Sequence, residues 1–203
     1  MQDELLIRRA QRGDADAFEQ LLLEHQKNVY NLCYRMAGNP DDAMDLSQET
    51  FLRAWRCLDQ YQFASAFSTW LYRLCSNICI DFLRRRRRQQ TVPLTFEDAD
   101  GEEQTYAVPD AQPLPEEQVE LKLTRETLAA AMAQLLPEHR AVLQLRVVNE
   151  MSYEQIADVL DIQIGTVKSR LARARNQLKK SLERGNLSRR ASSESMEGEV
   201  AAK

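Results

Sequence analysis

Four of the six prolines in this 203-residue chain (Pro93, Pro109, Pro113 and Pro115) crowd into residues 91–116. Proline lacks the amide that a helix or a central strand needs, so regular structure does not run through such a stretch. The chain is thereby divided into two halves that are nearly free of helix breakers. Only six glycines occur, and two of them, Gly185 and Gly198, lie in the last twenty residues. Long segments without Gly or Pro on both sides favour an all-α protein built from two small helical domains.

The dividing stretch is also the most acidic. Residues 91–118 hold Glu97, Asp98, Asp100, Glu102, Glu103, Asp110, Glu116 and Glu117 and no Lys or Arg, a charge of −8. The whole chain carries −4, so removing that −8 leaves the remainder at +4. A total that argues against nucleic acid therefore conceals a basic remainder, and the asymmetry is more informative than the sum. The expected layout is a helical domain over residues 1–90, a flexible acidic linker over 91–118, a second helical domain over 119–184 and a disordered tail over 185–203.

Composition excludes several classes. No apolar run approaches the roughly 18 residues needed to span a bilayer. Residues 1–13 are charged and lack the apolar core of a signal peptide. A cytoplasmic protein without membrane insertion is expected. The four cysteines, Cys33, Cys57, Cys75 and Cys79, sit inside helical patterns with no disulfide-scaffold spacing, which fits a reducing compartment. Cys75 and Cys79 are one helical turn apart and can in principle clip a metal. No second ligand pair follows at a suitable spacing, so they read as core thiols, and neither a metal nor a cofactor is expected. There is no Gly-rich phosphate loop and no Ser/His/Asp constellation, and His25 and His139 lie in separate halves. Enzymatic activity is not expected.

In the first half, Phe18, Leu21, Leu22, His25, Val29, Leu32 and Cys33 recur at three- and four-residue steps, a helical stripe over residues 14–36. Gly38-Asn39-Pro40 breaks it, and Asp41 and Asp42 suit the first turn of a new helix that runs to about residue 58. After a short loop, Ser68 is read as the N-cap of a third helix over residues 69–87.

The second half carries a helix-turn-helix pattern. Ser152 caps a helix whose apolar positions are Tyr153, Ile156, Ala157 and Leu160. Asp161-Ile162-Gln163 is a turn, and Thr166 is taken to open the next helix. That helix has Val167, Leu171, Ala174 and Leu178 on one face and Thr166, Arg170, Arg173 and Gln177 on the other, with Lys168 and Ser169 at the edges. A second helix with a basic outer face is the element that enters the major groove. There Arg donates two hydrogen bonds to guanine, Ser and Thr reach bases or phosphates, and Arg175, Lys179 and Lys180 extend the positive stripe.

Here the chain resembles a known family. Leu136-Pro137-Glu138-His139-Arg140, Met151-Ser152-Tyr153-Glu154-Gln155-Ile156-Ala157 and Gly165-Thr166-Val167-Lys168-Ser169-Arg170-Leu171 with Arg173-Ala174-Arg175 are similar to region four of the extracytoplasmic-function (ECF) sigma factors of the sigma-70 family. The family often has Gly where this chain has Asp161, which tolerates the left-handed conformation. The resemblance implies that Thr166, Lys168, Ser169, Arg170, Arg173 and Arg175 read the minus-thirty-five promoter element. LuxR-like autonomous regulators share such a motif, so the second half alone leaves that alternative open.

The first half bears on the choice. Asp45, Gln48 and Glu49 share one helical face, an acidic-polar surface suited to a protein partner rather than to DNA. The motif Asp45-Leu46-Ser47-Gln48-Glu49-Thr50-Phe51 resembles the sigma segment that docks on the clamp helices of the polymerase beta-prime subunit. The resemblance gives that role to Asp45, Gln48 and Glu49, with Asp42 and Leu52 beside them. An aromatic cluster follows (Tyr61, Phe63, Phe67, Trp70, Tyr72), then five consecutive arginines, Arg84, Arg85, Arg86, Arg87 and Arg88. Rings that stack bases at about 1–3 kcal/mol each, with cations for the backbone, are the means of holding single strands. Trp70 is read as core. Phe63, Ser65 and Phe67 are the candidates for a pocket that takes a flipped minus-ten base, as the resemblance implies, although this chain has Phe63-Ala64 where the family has a polar, often Gly-containing loop. Asn77 and Asp81, one turn apart, have counterparts in the family that face promoter DNA, and the arginines suit phosphates. The implied partners are core RNA polymerase (beta-prime clamp helices and beta subunit), promoter DNA and an anti-sigma factor. The acidic linker suits a basic channel of the polymerase.

Overall fold

The computed structural model describes residues 2–91 and 116–200; for residues 2, 90–91, 116–123 and 185–200 only the backbone is described. Among the described residues every regular element is helical: α1 Gln2–Ala10, α2 Ala15–Ala37, α3 Pro40–Cys57, a 3-10 turn Leu58–Gln60, α4 Phe67–Thr91, α5 Glu116–Ala133, α6 Pro137–Val147, α7 Tyr153–Leu160 and α8 Ile164–Val200. Most of the proline-rich acidic stretch, residues 92–115, lies outside the described residues.

Local chemistry accounts for the boundaries. The Asp14 side chain accepts from the Ala17 amide at 3.0 Å and starts α2. Gly38, at φ 89°, ends it, donating its amide to Tyr34 O at 2.8 Å. Asn39 Oδ1 then accepts from the Asp42 amide at 2.8 Å, and Pro40 occupies the first turn of α3. Gly38-Asn39-Pro40 is thus a C-cap, an N-cap and a helix start in three residues. α7 opens on a reciprocal capping box between Ser152 and Gln155, and Asp161 closes it in the left-handed conformation at φ 53°.

Several boundaries differ from expectation: α4 runs on to Thr91 rather than ending near residue 87, and α5 begins at Glu116, inside the stretch expected as linker. α4 begins at Phe67, so Ser68 lies inside the helix rather than capping it; the Trp70 amide reaches back to Ala66 O at 3.1 Å instead. α8 begins at Ile164, two residues before Thr166, with Gln163 O accepting from the Thr166 and Val167 amides at 2.9 and 3.1 Å. α8 also continues through residues 185–200, where a disordered tail is expected. Adding residues to an established helix costs no new nucleation, and this segment has no proline, so the two glycines do not stop it.

Helices α1–α4 form one bundle around Leu21, Val29, Leu32, Met36, Ala54, Leu58 and Leu71. Helices α6–α8 gather around Val142, Leu145, Ile156, Val159, Val167, Leu171 and Ala174, with α5 laid along α8. Val159 was not on the face expected for α7, yet it is fully buried. The two groups are not separated: α4 packs on α6 and α7, and α2 packs on α6. Arg140 crosses the junction, donating to Met36 O at 2.6 Å, and Arg73 Nε donates to Asp158 O at 3.0 Å.

Candidate polymerase and promoter interfaces

α3 turns one face outward. Asp45, Gln48 and Glu49 are exposed, as expected from their spacing, and Leu52, named with them by the resemblance, is exposed too. Met44 at 52%, Leu52 at 52% and Trp55 at 39% exposure stand on the same side, an apolar stripe among the polar groups. Met44 and Trp55 were missed because large apolar residues on a helix read as core. The Trp55 ring also packs on Phe18, with centroids 4.8 Å apart. Asp42 departs from expectation. It is half-buried, hydrogen-bonds Asn39 and pairs with Arg86 Nη1 at 2.8 Å, so it braces α3 against α4. Asp42 and Glu49 both line the groove between α3 and α4 beside Arg85 and Arg86.

The loop between the 3-10 turn and α4 is held from both sides. Gln11 Nε2 donates to Leu58 O at 3.0 Å and Tyr61 O at 2.9 Å, and Tyr61 Oη donates to Ser65 O at 2.6 Å. Phe63 takes φ 59°, a left-handed backbone that costs an ordinary residue about 1–2 kcal/mol. Its half-buried ring lies 4.6 Å from the Arg8 guanidinium and 4.9 Å from the Tyr61 ring. Strain of this kind gathers at binding sites. Ser65 is exposed. Phe67 is not available to a base: it is only 6% exposed, enclosed by His25, Tyr61 and Trp70 with centroids 5.4, 5.7 and 5.6 Å away. As the first residue of α4 it turns into the bundle, and the loop position suggested by its sequence neighbours does not exist. Trp70 packs against the core as expected.

Asn77, Asp81 and Arg84 are exposed along one side of α4, and Arg84 sits 3.6 Å from Asp81. That side faces the second half of the molecule. Asn77, Asp81, Arg84, Glu138, Ile162 and Arg170 line one cleft of about 380 Å³. Arg84 Nε donates to Glu138 Oε1 at 2.7 Å. Burial pushes the Glu138 carboxyl up, but its own amide and the cations Arg84 and Arg170 outweigh this and hold it below the usual range. On α8, Lys168, Ser169, Arg173 and Arg175 are exposed, Thr166 and Arg170 half-buried. Ser169 donates to Thr166 O at 3.0 Å, and Gln177, expected on the outer face, donates to Gln134 O at 3.1 Å. Arg85, Arg86, Arg87 and Arg88 project from the end of α4 around the helix, with Arg86 tied to Asp42.

One group of helices carries a capped helix-turn-helix, the motif of DNA-binding proteins, and the other an exposed acidic-apolar helix beside a strained aromatic loop. The chain matches the Sigma-70 region 2 family over residues 21–89 and the Sigma-70 region 4 family over residues 125–178. It is 33% identical over 176 residues to the ECF RNA polymerase sigma factor SigW of Bacillus subtilis, covering 87% of this chain and 94% of that one. It is 37% identical over 183 residues to the RNA polymerase sigma-H factor of Pseudomonas aeruginosa, covering 90% and 94%. CnrH, solved with the cytosolic domain of CnrY, superposes with a TM-score of 0.63 at 26% identity, over 90% of this chain and 98% of that one. The sigma factor RpoE of Bartonella quintana, solved with the anti-sigma factor NepR, gives 0.57 at 27% identity, over 82% and 96%. The chain belongs to the ECF sigma factors of the sigma-70 family and serves RNA polymerase in the initiation of transcription at promoters. Its relatives are sigma factors rather than enzymes. Among the described residues no helix is long and apolar enough to cross a membrane.

Proposed function

We propose that this factor works in the cytoplasm, with residues 1–90 as a docking and promoter-opening domain and residues 119–184 as a minus-thirty-five reader. The outward face of α3 meets the polymerase clamp: Leu52, Met44 and Trp55 supply apolar contact, and Asp45, Gln48 and Glu49 surround it with acidic and polar groups. The observation that carries this reading is that face, which leaves three large apolar side chains exposed beside two acids on an otherwise well-packed helix. Such a patch is spent on a protein partner, not on DNA. A LuxR-like regulator has no use for it.

Phe63 in its strained loop stacks the extruded minus-ten base, with Ser65 beside it. Asn77 and Arg84, with Asp81 orienting them, face promoter DNA, and Arg85, Arg87 and Arg88 hold phosphates. On α8, Arg170 and Arg173 reach base edges, and Thr166, Lys168, Ser169 and Arg175 anchor the backbone. Engagement requires the halves to part, because a recognition helix needs a major groove about 12 Å wide. The cleft between Arg84 and Arg170 has no room for a duplex. A protein that binds across both halves keeps them together, and RpoE of Bartonella quintana was solved in complex with an anti-sigma factor. A partner of that kind is proposed for this chain.

The test is run-off transcription from a promoter library with purified core polymerase, beside band shifts of the factor alone. Specific transcripts with core, and little binding without it, are expected. Tight sequence-specific binding by the free protein with no transcript gain would place it with autonomous regulators.

A further inference from the structure

Three of the four cysteines meet in the core of the first bundle. Cys33 on α2 and Cys75 and Cys79 on α4 are fully buried, at 0% exposure. Cys33 Sγ lies 3.4 Å from Cys75 Sγ and 3.9 Å from Cys79 Sγ, and all three sulfurs fall within 4.8 Å of one another. The i, i+4 spacing of Cys75 and Cys79 puts them on one face of α4, and α2–α4 packing brings Cys33 against that face. Cys57 is free and half-buried, outside the cluster. Neither the promoter contacts nor the docking face uses these thiols.

A buried thiol taken singly is a small hydrophobe. Three sulfurs converging from two helices are a different object. With metal–sulfur bonds of about 2.3 Å, three sulfurs around one ion in a plane stand about 4.0 Å apart, the size of this triangle. Among the described residues no imidazole or carboxylate joins the group as a fourth ligand. The nearby Thr50 hydroxyl donates its proton to Leu46 O at 2.7 Å. Zinc in a closed structural site takes four ligands, whereas thiolates alone in a dry site select soft ions such as Cu(I).

The geometry points to a three-sulfur site for a soft monovalent ion, Cu(I), formed by Cys33, Cys75 and Cys79 in the core of the docking domain. Binding Cu(I) releases two protons to water and leaves two thiolates and one thiol on the ion, a net charge of −1. The ion ties α2 to α4, the helix that carries Asn77 and Arg84, and so stiffens the promoter-opening domain. The site is independent of the sigma-factor reading.

The full-length reduced protein is titrated anaerobically with Cu(I) in competition with a chromogenic Cu(I) chelator. X-ray absorption then counts the sulfur neighbours. One ion per chain with three sulfurs at about 2.3 Å is expected. C33S, C75S and C79S should each weaken binding at least tenfold, and C57S should not. Because a core substitution can disturb folding, the unaltered protein gives a second readout: its melting temperature should rise with Cu(I). Uptake lost in C57S, two sulfur neighbours, a preference for Zn(II), or a Cys33–Cys75 disulfide forming without metal uptake would each overturn the site. So would failure to retain the ion against the chelator or an unchanged melting temperature.

Discussion

Arg84 on α4 grips Glu138 at the head of α6, with Nε 2.7 Å from Oε1, and so joins a residue expected to face promoter DNA to the domain expected to read a different promoter element. Its neighbours make the grip a junction: Arg140 reaches Met36 O, Arg73 reaches Asp158 O, and Arg170 lines the same cleft. The described arrangement is closed, with the side of α4 expected to face promoter DNA turned towards α8.

Removing the grip should favour opening. The pair is partly exposed, with side-chain exposures of 47% and 22%, so E138A should shift the closed–open balance by about 0.5–1 kcal/mol, two- to fivefold. Energy transfer between labels on α3 and α7 measures it, and an unchanged distance distribution would argue that the apolar junction alone holds the halves. Because the Glu138 carboxyl is held down in the closed form, the grip is complete above the ordinary glutamate value of about 4.3. It is lost as the pH falls through the depressed value. Acid should therefore open the wild type and leave E138A unaffected by this route.

The docking face predicts a clean separation of binding from stability. L52A and E49K alter exposed groups, so helical circular dichroism and melting should stay within about 0.5 kcal/mol of wild type. Affinity for core polymerase should fall by about 1–2 kcal/mol for L52A if Leu52 is among the central contacts. A pull-down at graded concentrations reads this, and equal retention of both variants would remove α3 from the interface.

Phe63 and Phe67, two aromatics four residues apart, should behave oppositely. F67A empties a core position and should cost about 3–5 kcal/mol of stability, seen in denaturant unfolding. F63A loses a half-buried ring on the Arg8 guanidinium and should largely spare folding and closed-complex formation. It should reduce permanganate reactivity of unpaired minus-ten thymines, since the stacking partner is gone. Normal reactivity in F63A would move the base-capturing role to the Asn77 side of α4.

On α8, R170A should cost about 1–3 kcal/mol on the preferred promoter and relax preference at one base pair. R175A should weaken binding evenly across sequences and flatten its salt dependence. Binding of the polymerase complex to single-substituted minus-thirty-five elements separates the two, and identical profiles would contradict the assignment of α8.

What the sequence determined alone was what neighbours in the chain decide. The Gly38-Asn39-Pro40 break, the Ser152 cap and the left-handed Asp161 all act within four residues, so the end of α2, the start of α3 and both ends of α7 were legible. So was the outward set Asp45, Gln48 and Glu49, because helical periodicity sorts residues onto faces. Tertiary structure decided the rest. Phe67 turns inward because His25, Tyr61 and Trp70 enclose it, and Asp42 is spoken for because Arg86, 44 residues further along the chain, reaches it from α4. Cys33 joins Cys75 and Cys79 only when α2 packs on α4, and Arg84 meets Glu138 only when two halves joined through a proline-rich stretch fold together. A periodic pattern names the face a side chain occupies, but which surface covers that face is set by contacts between residues far apart in the chain.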